Sequence, residues 1–382
     1  MNDNSDTAWV VHCATAVGFD LCGVVRAEKF AELDLGNEWL ARGYAGEMKY
    51  LHDPRRTNPH SVMSGLRSVI VCALNYNSPP PRSVEALQTE PAEPRGWISR
   101  YAWGEDYHEV LRQKLQQLEG NFRDRFPEPF ETRIYADTGP LNERVFAKHA
   151  SLGWLGKNTL LLNSKLGSWF FLGVILTTLD IPPSLGPAEL PFPDLCGSCT
   201  KCIDACPTEA LVEPYVMDSR RCISYLTIEL HGSIPEDLRE PMGRHVFGCD
   251  ICQDVCPWNR RAPVTRAPQF QPRAFPETEE VATEKQPPVT AAEPLETASL
   301  FLPRLEWLAS MSEEQFRVFF RGSPIKRTKW RGLVRNACIA LGNSAPSISS
   351  PGRRSICELL QRLSASSDPL IAESAQWALS RI

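Results

Sequence analysis

Eight cysteines between residues 196 and 256 constrain this chain more than any other feature. The first run reads Cys196-Gly-Ser-Cys199-Thr-Lys-Cys202-Ile-Asp-Ala-Cys206-Pro207. The second reads Cys249-Asp-Ile-Cys252-Gln-Asp-Val-Cys256-Pro257, and Cys222 stands alone between them. Two-residue gaps let neighbouring thiolates wrap three corners of a small iron–sulfur cube, while the cysteine before proline turns away to the other cube. The expected partition puts Cys196, Cys199, Cys202 and Cys256 on one [4Fe–4S] cluster and Cys206, Cys222, Cys249 and Cys252 on the second. The second run lacks its own first cysteine, and Cys222 replaces it. Structural zinc also takes four thiolates, but from two separated pairs and with no need of a cysteine before proline. The spacing therefore favours two clusters, and with them electron transfer.

At 382 residues the chain is long for one domain, and its 42% hydrophobic content can fill a sizeable core. A formal charge of −5 gives no global reason to bind nucleic acid, so any such contact needs a local patch. The start, Met1 to Asp6, is polar and acidic, without the basic flank of an export signal. The longest apolar run, Trp169 to Leu179, is too short to span a bilayer and reads as a buried strand. A soluble, cytoplasmic protein is expected, with no membrane partner. A reducing compartment also suits cluster thiolates. Cys13, Cys22, Cys72, Cys338 and Cys357 lie in apolar or helical patterns and read as small buried hydrophobes.

Hydrophobic patterning predicts a helix ending at Gly18, a strand over Phe19–Val25, a helix over Asn37–Leu51 and a buried strand over Arg67–Leu74. A Pro- and Glu-rich loop over Asn77–Gly96 precedes an amphipathic helix over Glu105–Phe126. A strand at Thr132–Ala136, a helix at Asn142–Leu152 and a strand at Ser168–Leu179 follow. This alternation argues an α/β sandwich over residues 1–185. A ferredoxin-like module with the cluster ligands is expected over 186–262, a Pro-rich connection over 263–297 and an all-α region over 298–382. In the last, Asn336-Ala-Cys-Ile-Ala-Leu-Gly342 and Ser374-Ala-Gln-Trp-Ala-Leu379 echo one another about 40 residues apart, a period that suits HEAT-like helix pairs, with an ordinary helical cap as the alternative.

Several motifs carry weaker chemistry. Gly153-Trp-Leu-Gly156-Lys157-Asn158 lacks the glycine and hydroxyl positions of either nucleotide fingerprint and reads as a tight turn with an exposed Lys-Asn pair. Asp137-Thr-Gly139-Pro140 follows a strand at its carboxyl end, where ligands gather in open sheets. Asp137 is a proton donor there if burial raises its pKa, and otherwise a turn former or helix cap. Asp106-Tyr-His108 opens like the Asp-x-His-x-x-Gly loop of some cobalamin proteins, but Leu111 fills the glycine position. Arg317, Arg321, Lys326, Arg327, Lys329, Arg331 and Arg335 crowd one segment almost without acids, which reads either as a solvated helix face or as an electrostatic footprint for phosphates in an otherwise acidic chain.

Taken in order, these stretches resemble the epoxyqueuosine reductase family. The matching segments are Tyr101-Ala-Trp-Gly-Glu-Asp-Tyr-His108, Asp137-Thr-Gly139, Leu152-Gly-Trp-Leu-Gly-Lys-Asn-Thr159 and the cysteine run. Arg220-Arg-Cys-Ile-Ser-Tyr-Leu-Thr227, Phe247-Gly-Cys-Asp-Ile-Cys252, Gly322-Ser-Pro-Ile-Lys-Arg327 and Arg335-Asn336 complete the set. The resemblance covers nearly the whole chain, apart from the loop near 78–96 and the connection near 262–294.

The resemblance implies an α/β domain binding base-off cobalamin, akin to that of reductive dehalogenases, two [4Fe–4S] clusters, and a HEAT-like tail that helps hold tRNA. It implies that Asp137 donates a proton beside the corrinoid, and that Arg56, Arg144, Ser224 and Asp250 line the cobalamin or substrate site. Some relatives carry a cysteine near the corrinoid where this chain has Ser99. The implied reaction reduces epoxyqueuosine to queuosine at the tRNA wobble position. An external donor feeds the clusters, the clusters reduce cobalt, cobalt attacks the epoxide and Asp137 protonates the departing oxygen. Lys326, Arg327, Lys329 and Arg331 would clamp tRNA phosphates. A monomer is expected. The alternatives are a reductive dehalogenase of small organohalides, against which the basic tail and the N-terminus count, and an electron carrier, which has no need of so large an α/β domain.

Overall fold

The structure is a computed structural model that describes residues 5–79, 81–88, 93–186, 189, 191–276, 297–344 and 350–382. The chain divides into two compact units, each drawn from three stretches of sequence. The first comprises residues 1–79, 106–220 and 251–269, and the second 80–105, 221–250 and 270–382. The segments expected along the sequence are contiguous, whereas these units interleave. Most of the expected connection, 277–296, and residues 80 and 89–92 of the Pro-rich loop lie outside the described residues.

The first unit is mixed α/β. Its helices include α1 (Ser5–Val17), α2 (Glu32–Ala41), α3 (Tyr107–Arg125) and α4 (Glu143–His149). Strands β1 (Leu21–Arg26), β2 (Ser68–Asn75), β3 (Thr132–Tyr135) and β4 (Phe170–Thr177) form a sheet in the order β1-β2-β4-β3. Every pairing is antiparallel. The apolar run of β2 is buried along its length, as a central strand covered on both faces must be. Val69, Val71 and Ala73 pack with Val145, Phe146 and Ala147 of α4. The alternate residue Cys72 shares its face with its partner Gly173, where a Cβ would stand 2.8 Å from Leu115 of α3. Helices therefore cover both faces. The helix expected over Asn37–Leu51 ends at Ala41, because Gly43 (φ +71°) and Gly46 (φ +57°) take the left-handed backbone; a short 3-10 turn resumes at Lys49–His52.

In the second unit Trp97–Ile98 pairs in parallel with His245–Phe247. Around this pair lie α5 (Ile223–Ile228), α6 (Lys329–Gly342), α7 (Ser350–Ser364) and α8 (Pro369–Leu379). Helix α6 is buried from Gly332 to Gly342. A Cβ on Gly342 would meet Trp377 at 2.8 Å and the Ala378 Cα at 3.0 Å, so the glycine permits α6 and α8 to pack closely. Asp368 caps α8 through the Leu370 N–H, with Pro369 in the first turn. Arg335 departs from the basic-patch expectation. It is 0% exposed, and its guanidinium donates to the carbonyls of Leu226, Leu230 and Gly232 and to Asn336. Asn336 donates to the Thr227 and Val246 carbonyls. These two side chains satisfy backbone acceptors that would otherwise be buried bare.

Candidate active site and cluster ligands

Strand β3 ends at Tyr135, and the chain turns sharply, the Thr138 N–H donating to Ala136 O at 2.7 Å. Asp137 sits in that turn at φ +62°, a conformation that a residue with a Cβ adopts rarely and that concentrates at functional sites. A Cβ on Gly139 would come within 2.5 Å of the Tyr135 ring. Arg56 holds the loop by donating to Gly139 O at 3.2 Å and Leu141 O at 3.3 Å. From the start of α3, Asp106 accepts the His108 backbone N–H and pairs with His108 Nδ1 at 2.7 Å. Capping the helix thus also orients the ring. Tyr107 donates its hydroxyl to Asp137 Oδ2 at 2.7 Å, and His108 Nε2 lies 3.7 Å from the same oxygen. The Tyr107 ring stacks on Phe171 of β4 at 4.3 Å, which locks it in place.

The electrostatics do not meet the condition of a burial-raised Asp137. Desolvation by the loop favours a neutral Asp137, but His108 and Tyr107, with the Arg144 charge, outweigh it and hold the carboxyl down at about 2. Burial opposes charge on His108, yet Asp106 and Asp137 raise it to about 9. Asp137 is therefore a carboxylate at neutral pH, its side chain 59% exposed, and the nearby imidazole carries the proton. Glu143, at the start of α4, moves the other way: burial and the Asp137 charge push it up to about 7. Its Oε1 is buried without a hydrogen-bond partner among the described residues.

Arg144 is exposed and donates to Thr159 O at 2.9 Å. With Asn142, Thr159 and Lys148 it lines a cavity of about 570 Å³ whose apolar walls include Trp39 and Trp154.

The four cysteines expected on one cluster lie together in the first unit. Burial raises the Cys202 thiol to about 11, with the Cys256 and Cys196 charges adding to it, and Cys256 is raised by burial and then by Cys196 and Cys199. Trp154, Leu162 and Trp258 form an apolar wall around Cys196 and Cys256. Backbone N–H groups of Lys157, Trp258 and Asn259 favour the thiolate forms of Cys196 and Cys256. The buried Trp154 indole N–H lies by Cys196 and favours its thiolate without a full hydrogen bond among the described residues, a donor that cluster sulfur would satisfy. This donor set fits an anionic iron–sulfur cluster. Of the other four, Cys206 and Cys252 belong to the first unit and Cys222 and Cys249 to the second. Cys206 Sγ accepts the Ala210 N–H at 3.3 Å.

Lys157 and Asn158 correct another expectation, since both are buried. Gly153 and Gly156 allow the turn, a Cβ on either meeting Leu162 at 1.9 Å and 2.6 Å. The turn aims Lys157 Nζ at Gly197 O (2.5 Å) and Cys199 O (3.1 Å), and Asn158 Nδ2 at Cys252 O (3.4 Å). One dipeptide thereby binds the backbone of both cysteine runs. Gln253 in the second run and Asn259 just after it both donate to Ser168 Oγ just before β4.

Comparison with known proteins bears on both regions. Residues 195–259 match the 4Fe-4S double cluster binding domain model. Residues 56–138, which contain Arg56, Asp106, Tyr107, His108 and Asp137, match the model described as Epoxyqueuosine reductase QueG, DUF1730. The epoxyqueuosine reductase of Gloeobacter violaceus is 41% identical over 88% of this chain and 95% of its own. This chain belongs to the epoxyqueuosine reductase family. The Pseudomonas aeruginosa member is 38% identical over 96% of this chain and 91% of its own. A crystal structure of an epoxyqueuosine reductase with a tRNA-Tyr epoxyqueuosine-modified stem loop superposes with a TM-score of 0.81 at 29% identity, covering 100% of this chain and 91% of that one. The Bacillus subtilis epoxyqueuosine reductase, solved with its catalytic loop swung out of the active site, gives 0.79 at the same identity and coverage.

For a member of the epoxyqueuosine reductase family, the remaining expected site residues are differently placed. Ser224 lies half-buried on α5 in the second unit. Asp250 is 1% exposed, and its carboxylate accepts from Ser99 Oγ (2.5 Å), Trp97 Nε1 (3.0 Å) and the Arg100 N–H (2.8 Å). Lys326, Arg327, Lys329 and Arg331 are all exposed around the start of α6. Arg327 pairs with Glu229 at 2.6 Å and Arg331 with Asp368 at 3.0 Å. Reading the sequence missed Glu143 and the buried ends of Lys157 and Asn158. The only signal was their place beside Asp137-Thr-Gly139 and within the glycine-bounded turn.

Proposed function

We propose that this protein is an oxidoreductase that reduces epoxyqueuosine to queuosine at the wobble position of tRNA, the last step of queuosine synthesis. The observation that carries the reading is Asp137, held at φ +62° on Tyr107 and His108, in a chain 41% identical to an epoxyqueuosine reductase over most of its length. The reading includes two [4Fe–4S] clusters with the ligand sets Cys196, Cys199, Cys202, Cys256 and Cys206, Cys222, Cys249, Cys252. It also includes cobalamin. The cavity beside Arg144 supports this in part: at about 570 Å³ it is too small for a whole corrinoid, but its apolar walls and polar rim suit the aromatic nucleotide tail. Arg144 would contact the cofactor, and Arg56 would act by holding the Asp137 loop. The family resemblance implies that Ser224 and Asp250 line the cobalamin or substrate site, Asp250 through the Ser99–Arg100 backbone that it orders. Bound cobalamin supplies reduced cobalt, which turns one-electron delivery into a two-electron deoxygenation.

The protein's own part is proton placement and tRNA binding. Asp137 faces solvent as a carboxylate, with a proton one step away on His108 Nε2. Covering the site with the base strips water from Asp137, raises its proton affinity and favours transfer from the imidazolium. Asp137 then protonates the oxygen leaving the opened epoxide, and Tyr107 fixes the carboxyl orientation by its 2.7 Å hydrogen bond. Lys326, Arg327, Lys329 and Arg331 would clamp the anticodon stem-loop phosphates. The reading places a monomeric enzyme in the cytoplasm, fed by an external electron donor; no helix among the described residues is long and apolar enough to cross a membrane.

The test is anaerobic turnover of the reconstituted protein with cobalamin and a strong reductant on tRNA bearing epoxyqueuosine, read by nucleoside mass spectrometry. Cobalamin-dependent loss of one oxygen is expected. No conversion with both clusters and the corrinoid fully loaded would overturn the reading.

A further inference from the structure

A charge that the proton chemistry does not use lies beside the first cysteine run. Lys157 is 9% exposed, on the turn between Gly153 and Asn158. Its ammonium donates to Gly197 O at 2.5 Å and Cys199 O at 3.1 Å, inside the Cys196–Cys202 stretch. Its own carbonyl accepts the Tyr215 N–H at 3.1 Å, so the turn is tied at backbone as well as side chain. The Lys157 N–H also favours the Cys196 thiolate. A lysine needing only to fill space would leave its head in water. Here the head is buried against two carbonyls, and a buried cation is costly unless an anion compensates it. The exposed Asp194 carboxylate supplies part of that compensation, and a cluster on four thiolates supplies the anion on the buried side. Its net charge goes from −2 oxidised to −3 on taking one electron from a low-potential one-electron donor.

We propose that Lys157 is a positioning and tuning residue for the cluster on Cys196, Cys199, Cys202 and Cys256, stabilising its reduced state and raising its potential relative to the second cluster. The inference rests on the cluster assignment of the proposed function, not on its substrate. The physical reason is direct. Net charge and hydrogen bonding around the sulfurs set cluster potentials, and a fixed cation in a poorly solvated place gains energy with each added negative charge. Asn158 is neutral and reaches the other run at Cys252 O, so the one turn treats the two runs unequally.

The test is an EPR-monitored redox titration of the full-length reconstituted protein, with iron and sulfide content measured first. Lys157→Gln keeps amide donors for the two carbonyls and removes the charge; Lys157→Arg keeps the charge. For Lys157→Gln we expect the reduced-to-oxidised ratio of one cluster, at fixed solution potential, to fall about tenfold, equivalent to about 59 mV for one electron. The other midpoint stays put, and Lys157→Arg stays near the parent. Unchanged midpoints in a fully loaded Lys157→Gln protein would overturn the inference, as would equal shifts in both variants. Should Lys157→Gln fail to load one cluster, retention by Lys157→Arg upholds the charge argument and equal loss in both overturns it. A parent protein that loads no clusters at all would instead sink the proposed function.

Discussion

Asp137 and Asp250 read alike in the sequence, as carboxylates in matching motifs, yet their surroundings use them in opposite ways. In the first unit Asp137 is strained, 59% exposed and held by one tyrosine and one histidine on a single oxygen, so part of its carboxylate stays open. In the second unit Asp250 is 1% exposed, and both oxygens are taken by Ser99, Trp97 and the Arg100 N–H. The first arrangement spends conformational energy to keep a reactive group available. The second consumes the group to order a buried loop. Availability, not residue type, separates chemistry from architecture.

The comparison breaks most visibly at turnover. Asp137→Asn should lower the rate of epoxyqueuosine reduction by about 10²- to 10⁴-fold, the usual worth of a placed acid, with little change in melting temperature. Single-turnover mass spectrometry at full cofactor loading checks this. Full turnover would remove Asp137 from the donor role. Asp250→Ala should do the reverse to stability, costing about 3 to 5 kcal/mol in denaturant unfolding because buried donors lose their acceptor.

The arginines sharpen the same contrast. Arg335→Met, which leaves the Leu226, Leu230 and Gly232 carbonyls without a donor, should cost about 3 kcal/mol. Exposed Arg331→Ala should cost at most about 0.5 kcal/mol, while weakening tRNA binding and reducing its salt slope by about 1. Binding isotherms at several salt concentrations separate the two. A tRNA affinity insensitive to salt would break the proposed clamp.

The smallest effects are in pH dependence. His108 has a raised pKa, about 9 against 6.5, so its stabilising contribution is complete below about pH 6.5 and fades as pH rises through 9. Asp137 is lowered to about 2, so its contribution is present above about pH 4 and is lost as pH falls through 2. Unfolding stability of the parent should therefore decline between pH 7 and 10, and His108→Asn should flatten that decline. If His108 supplies the proton, turnover should fall over the same alkaline window.

Much of this was legible where the chemistry is local. Cysteine spacing suffices to expect a double-cluster domain, which residues 195–259 match, because neighbouring corners of a cube are reached by two-residue steps. The β2 run reads as a buried strand because eight residues must be covered on both faces. The helix expected to Leu51 failed at Gly43 and Gly46, whose left-handed backbone is a local signal too, but one outweighed by the apolar pattern around it.

Charged residues were legible only as charges. The sequence by itself determined the family, a double-cluster 4Fe-4S domain and an aspartate at a strand end, because each depends on residues close in the chain or on a motif order spread along all of it. Tertiary structure alone decided what those charges do. It brought Tyr107 and His108 onto Asp137 across about thirty residues and lowered its pKa, where a donor made by burial alone needs a rise. It buried Arg335 on three carbonyls and left Arg331 in water, one helical turn away. Solvation and partner geometry set the free energy of an ionisable group, and neither is written in the identity of the residue that bears it.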